Sequence, residues 1–253
     1  MNTDAREALL EVRALRKDFG GIHAIAGLDL RLAPGECLGV IGPNGAGKTA
    51  LVNVITGFYR PSGGEVMFGG REISRLKLHQ IGRLGIARTY QNIRVFRRMT
   101  VLENVMVGMP RFAQWPMLSF LNVPQWRAER DRALGLLERF ELADRADTLA
   151  GTLAYGEARR LEIARALASR PRLLLLDEPA AGMNTEETAR LISDIRASRG
   201  MVEGLLLIEH DMSLITELAD RVIAMENGAK IAEGLPRKVL ADPWVREAYL
   251  GLE

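Results

Sequence analysis

The chain has 253 residues, 47% of them hydrophobic and 26% charged, enough to bury a sizeable core in one or two lobes. Its 34 Lys and Arg against 32 Asp and Glu leave a net charge of +2, which offers none of the basic bias that a nucleic-acid partner would call for. No apolar run approaches the roughly 20 residues that cross a bilayer, and the opening stretch lacks the apolar core of a secretion signal, so a soluble cytoplasmic protein is expected.

In chain order, Leu10 to Leu32 reads as short strands with a turn at Gly20-Gly21. After Pro34-Gly35, the run Glu36-Cys-Leu-Gly-Val-Ile41 reads as a buried strand in which the single cysteine, Cys37, is a small core residue. This strand leads into Gly42-Pro43-Asn44-Gly45-Ala46-Gly47-Lys48-Thr49, a complete phosphate loop of the form G-x-x-x-x-G-K-[ST]. Its glycines let successive amides converge on an anion, Lys48 adds a point charge for the outer phosphates, and the Thr49 hydroxyl can ligate Mg²⁺. The helix beginning near Ala50 aims its positive end at the same phosphates. Residues 42–50 are therefore expected to hold a nucleoside triphosphate.

Gly63 to Gly70 looks like a further hairpin piece, and Ala128 to Leu142 carries Ala133, Leu134, Leu137 and Phe140 at helical spacing. Between them, Met109 to Gln125 is interrupted by Pro110, Pro116 and Pro124 and contains Trp115; it fits either an exposed contact surface or a loop packed on its own subdomain. Leu153-Ala-Tyr-Gly-Glu157 reads as a short turn opening an amphipathic helix over Ala158 to Leu167. From there strands and helices alternate: Arg172 to Asp177, Glu186 to Arg199, Gly204 to Glu209, Met212 to Ala219, Arg221 to Glu226. Such alternation predicts a mostly parallel sheet with helices on both faces, and a helical insert in an α/β core is the simplest architecture. Leu173-Leu-Leu-Leu-Asp-Glu-Pro179 places an acidic pair at the C-terminal edge of a buried strand, where α/β sheets put their ligands. There Asp177 would hold Mg²⁺ through water and Glu178 would orient or deprotonate an attacking water.

Leu153-Ala-Tyr-Gly-Glu157 resembles the Leu-Ser-Gly-Gly-Gln signature of ABC transporter ATPases, and it precedes the Asp-Glu strand in that family's order. The resemblance covers about residues 8 to 253. It implies a P-loop NTPase (RecA-like) α/β core with an antiparallel β subdomain and an inserted helical subdomain near 93–158, in one cassette over 8–235, followed by a helical tail over 236–253. Phe19 then corresponds to the aromatic that stacks on adenine, although its position equally suits the apolar end of a strand. Gln91 corresponds to the glutamine that touches Mg²⁺ and the attacking water and answers to the permease. His210, in Leu-Ile-Glu-His-Asp, corresponds to the switch histidine at the γ-phosphate, a place where a lone histidine would otherwise read as scaffold. His23 and His79 fall in no such motif. Ala181-Gly-Met-Asn184 is similar to the loop that meets a second ATPase subunit.

Gly85-Ile-Ala-Arg-Thr-Tyr-Gln-Asn-Ile-Arg-Val-Phe96, Met99-Thr-Val-Leu-Glu-Asn-Val105, Asp177-Glu-Pro-Ala-Ala-Gly-Met-Asn184 and the ending Tyr249-Leu-Gly look like the branched-chain amino acid importers. That resemblance implies ATP and Mg²⁺ as cofactors and a second ATPase, identical or different, with two membrane permeases as partners. It also implies a periplasmic binding protein acting indirectly, and a peripheral place at the cytoplasmic face of the inner membrane. The solute never touches such a subunit, so a related urea, amide or lipopolysaccharide system stays open; a soluble ABC mechanoenzyme would show a second cassette or sustained heptads. Ala154, Tyr155 and Glu157 stand where the signature has Ser, Gly and Gln, beside the retained Gly156; Ala50 replaces a hydroxyl, and Asn184 an Asp. A lost hydroxyl donor and an added carboxylate predict that the composite site built on this signature is the weaker of two.

Overall fold

The computed structural model describes residues 8–110 and 123–250. Most of the proline-interrupted stretch between Met109 and Gln125, and Gly251 of the ending, lie outside the described residues. In chain order the elements are β1 (Leu10–Phe19), β2 (Ile22–Leu32), β3 (Cys37–Ile41), α1 (Lys48–Ile55), β4 (Gly63–Phe68), β5 (Arg71–Glu72), α2 (Leu78–Arg83) and β6 (Ile86–Arg88). They continue as α3 (Val101–Val107), α4 (Val123–Arg139), α5 (Tyr155–Ala168), β7 (Leu173–Asp177), α6 (Thr185–Ser198), β8 (Gly204–Ile208), α7 (Met212–Leu218), β9 (Arg221–Glu226), β10 (Ala229–Gly234), α8 (Pro236–Ala241) and α9 (Pro243–Leu250). The chain divides into two compact units, one of Met1–Arg88, Arg172–Glu178 and Val202–Glu253, the other of Thr89–Pro171 and Pro179–Met201.

The first unit holds both sheets. Its six-stranded sheet runs β10-β9-β3-β8-β7-β6, with parallel pairing throughout except between β9 and β10. Strands β3, β7 and β8 are buried at every position, which is why they read as unbroken apolar runs rather than alternating ones. The two-residue period still sorts their side chains. Leu38, Val40, Leu173, Leu175, Leu206 and Ile208 join a core with Leu51, Val52 and Ile55 of α1. Gly39 faces the other way, and a Cβ there would come within 3.1–3.2 Å of Ile215, Ala219 and Val222, so α7 packs directly on β3. Helices thus cover both faces, as the alternation predicts. The second sheet, β2-β1-β4-β5, is antiparallel, and its Leu10, Val12, Leu15, Ile25 and Leu30 complete the same core. The strands flanking Gly20-Gly21 are longer than expected, at 10 and 11 residues.

The second unit is helical among its described residues, with α3, α4 and α6 each packed against α5. Its core is Val101, Val105, Ala133, Leu137, Phe140, Leu161, Ala164 and Leu191. Helix α5 corrects the amphipathic reading, because it is buried almost all round: Arg159 is 0% and Glu162 1% exposed. Its charges are tolerated inside because they satisfy each other, Arg159 Nη1 lying 2.8 Å from Glu162 Oε2 one turn on.

Candidate nucleotide site

The loop between β3 and α1 is built by close backbone approach. A Cβ on Gly42 would sit 2.2 Å from Met225 O and one on Gly47 2.3 Å from Ala24 O, and both glycines hold positive φ, so only glycine fits. Helix α1 starts at Lys48 with no side-chain cap on its first amides and no acidic residue in its first turn, which leaves that end electrostatically suited to an anion. Lys48 is folded back, its Nζ donating to Gly42 O (2.7 Å) and Pro43 O (3.0 Å). Burial holds its pKa below the usual lysine value, against the opposing pull of Glu178 and Asp177.

The loop is braced from two places that sequence patterning does not reveal. Gly228, in the turn between β9 and β10, donates its N–H to Ala46 O (3.1 Å) and accepts from Ala26 N (2.9 Å). Tyr249, in α9, accepts the Gly42 N–H at 2.6 Å, and burial pushes its phenol up to about 12, so it stays protonated near neutrality. Phe19 lies at the end of β1, partly exposed, edge-on to Tyr59 (5.0 Å) and beneath Lys17 Nζ (4.7 Å).

Because β3, β6, β7 and β8 are parallel, their C-terminal ends emerge along one edge of the sheet, with Asp177 and Val40 both in register with Ile208. That edge gathers the loop, Arg88, Asp177-Glu178 and Glu209-His210. Glu178 carries φ 47 and anchors its amide on Ile208 O (2.9 Å), while its Oε1 lies 2.5 Å from His210 Nε2. The His210 amide in turn donates to Glu209 Oε2 (3.0 Å). Asp177 is 2% exposed and pairs with Arg88, whose Nη2 lies 2.7 Å from Asp177 Oδ2. Arg88 was not singled out from the sequence; its only local signal is a charge closing the apolar run Ile86-Ala87.

For a cation, the edge offers hard oxygen donors, the exposed Thr49 hydroxyl and the Asp177 carboxylate, but no cage: among the described residues no three His, Cys, Asp or Glu side chains cluster as metal ligands. A partial oxygen set of that kind fits Mg²⁺ shared with phosphate oxygens and water.

The second unit carries Gln91 and the signature. The carbonyls of Tyr90 and Gln91 each accept from Arg159, at 2.6 Å, and the Arg94 amide donates to Glu162 Oε1 (3.1 Å), so α5 clamps the Gln91 segment. Ala154 is the N-cap of α5, and Tyr155, Gly156 and Glu157 form its first turn. The Glu157 carboxylate turns back, accepting the Ala154 N–H (3.0 Å) with its other oxygen 3.6 Å from Arg145 Nε. Tyr155 donates its hydroxyl to Ala181 O (2.8 Å), and Asn184 closes a reciprocal cap with Glu187 at the start of α6. A groove of about 420 Å³ beside the signature is lined by Asn92, Ile93, Val95, Leu153, Tyr155 and Ala158 among others.

Known proteins match the chain over nearly its whole length. The ABC transporter family matches residues 25–181, and the family described as branched-chain amino acid ATP-binding cassette transporter matches residues 229–253. A Pseudomonas aeruginosa protein named high-affinity branched-chain amino acid transport ATP-binding protein BraF is 43% identical over 251 residues, covering 96% of this chain and 98% of the relative. The Escherichia coli K12 protein of the same description, LivG, is 42% identical over 253 residues, covering 97% and 98%. Among solved structures, an ATP-binding cassette of an ABC transporter in its ADP conformation superimposes with a TM-score of 0.85 at 32% identity, over 97% of this chain and 100% of that one.

Proposed function

Since the chain belongs to the ABC transporter family and carries that family's branched-chain amino acid segment at its C-terminal end, we propose that it is the ATP-hydrolysing subunit of an importer for branched-chain or other hydrophobic amino acids. The observation that carries the reading is the single sheet edge on which the phosphate loop, Asp177, Glu178 and His210 emerge together.

In this reading residues 42–50 bind the triphosphate, the α1 amides and Lys48 neutralising its charge while Phe19 offers its ring to the base. Thr49 and Asp177, the latter through water, hold Mg²⁺, which when bound screens the phosphate oxygens. Glu178 takes the proton of a water as its oxygen bonds to the γ-phosphorus and the bond to the bridging oxygen breaks, giving ADP and phosphate. His210, its Nε2 2.5 Å from Glu178 Oε1, orients that carboxylate and reaches toward the γ-phosphate. Gln91 and the signature residues Ala154, Tyr155, Gly156 and Glu157 keep the roles their family positions imply, Gln91 answering to the permease and the signature meeting ATP held by a partner ATPase. The subunit sits peripherally at the cytoplasmic face, with two permeases and a second ATPase, and a solute-binding protein acts from the far side.

The test has two parts. Lys48→Ala should weaken ATP binding at least about tenfold, the loss of a charged hydrogen-bonding group in a buried phosphate site; normal affinity would remove the phosphate-loop assignment. Purification of the chain from membranes with its retained companions should yield two permeases and a second ATPase, and a ribosomal or nucleic-acid companion in their place would overturn the importer.

A further inference from the structure

The two candidate magnesium donors sit on different elements, Thr49 on α1 and Asp177 at the end of β7, so something must set their spacing. Their apolar side chains share one core, and a charged side chain also ties the two elements by hydrogen bonds. Arg88, the last residue of β6, donates Nη1 to Asn53 Oδ1 (2.6 Å) and Nη2 to Asp177 Oδ2 (2.7 Å). Asn53 stands four residues after Thr49 and therefore on the same face of α1, one turn along. The guanidinium is a planar, rigid fork, and its side chain is 9% exposed beside an Asp177 side chain that is 3% exposed. It occupies Oδ2, whereas Oδ1 carries no hydrogen bond to any described residue.

We propose that Arg88 is a positioning residue for the magnesium site: braced on Asn53, it fixes the distance between α1 and β7 and turns Asp177 so that Oδ1 is presented to the hydrated cation. The proposal rests on the reading that Thr49 and Asp177 hold Mg²⁺. Lysine cannot replace arginine here, because an ammonium on a flexible stem reaches Asn53 and Asp177 without fixing their separation.

The experiment uses the full chain and a fluorescent ATP analogue, titrated with Mg²⁺ and, separately, in EDTA. Arg88→Gln should raise the Mg²⁺ concentration for half-maximal tightening by about tenfold or more, as losing a partner of a metal-binding side chain does. Asn53→Ala, which keeps the Arg88–Asp177 pair and removes only the brace, should shift it the same way by less, with Arg88→Lys between the two. Affinity in EDTA should stay within about twofold of wild type for all three. An unchanged Mg²⁺ requirement in Asn53→Ala and Arg88→Lys, or an equal loss of affinity with and without Mg²⁺, would make Arg88 a scaffold residue and end the proposal. Should Arg88→Gln fail to fold, Asn53→Ala decides alone. Failure of the underlying reading looks different: the wild-type chain would then bind nucleotide equally with Mg²⁺ and EDTA, or not at all.

Discussion

His210 Nε2 and Glu178 Oε1 stand 2.5 Å apart, so the histidine and the carboxylate proposed to handle water form one close pair. The pair is asymmetric in exposure, the Glu178 side chain 9% and the His210 side chain 39% accessible. The carboxylate is held in place from the protein side while the imidazole opens outward, an arrangement suited to orienting a base against an incoming phosphate.

Glu178→Gln keeps the size and a hydrogen-bonding oxygen for His210 but cannot accept a proton. Phosphate release should fall by about 10²–10⁴, the usual worth of a positioned general base, while ATP affinity changes little. Parallel turnover and equilibrium binding measurements check this, and a large loss of affinity would place Glu178 in binding instead.

The backbone of Glu178 makes an independent prediction. At φ 47 it sits in the left-handed region, which costs a residue with a Cβ about 1–2 kcal/mol. Glu178→Gly should therefore be more stable than Glu178→Ala by about 1 kcal/mol, the reverse of the order in ordinary extended or helical backbone. Chemical denaturation of the two inactive variants decides it.

At the signature, the charge of Glu157 is already engaged by the Ala154 amide and Arg145, so only the missing hydroxyl remains as a defect. Ala154→Ser completes a Ser-x-x-Glu cap at the start of α5 and should add about 1 kcal/mol of stability. It should also raise ATPase turnover of the assembled complex, whereas Glu157→Gln alone should change it by less than about twofold. Steady-state turnover of the two single variants separates these contributions.

Asp194, on α6, is 8% exposed, with an Oδ2 that has no hydrogen-bond partner among the described residues. Burial pushes its carboxyl up from 3.8 to about 6, Arg160 pulling down and Glu141 adding to the rise. A carboxyl raised in the folded state contributes stability that is full below 3.8 and lost as pH climbs through about 6. By linkage that swing is at most about 3 kcal/mol, reduced where water screens the carboxyl. Asp194→Asn should erase it, melting above wild type at pH 8 and converging with it near pH 4; parallel curves at all pH values would show that the carboxyl is not perturbed.

What was legible in the chain follows from how local each signal is. The phosphate loop, the leucine run ending in Asp177-Glu178 and the strand before His210 announce themselves, because their chemistry is written in contiguous residues. Helix α5 misled because periodicity assumes that charges face water, while Arg159 and Glu162 are sheltered by partners far off in the chain, the Tyr90 and Gln91 carbonyls and the Arg94 amide. Arg88 and Asn53 lie 35 residues apart, and Arg88 lies 89 from Asp177, so no local pattern could join them. Strands β6, of three residues, and β10 were missed because they are short or only half-buried and owe their pairing to neighbours.

The hydrogen bond from Gly42 to Tyr249 joins the first residue of the nucleotide loop to a helix 207 positions further along the chain. Engineering at that far end is thus not remote from the chemistry. An affinity tag that pries α9 loose, a proteolytic nick before it, or a clipped expression product would unseat a loop amide, and would surface in assays as poor nucleotide retention rather than as a harmless trimming.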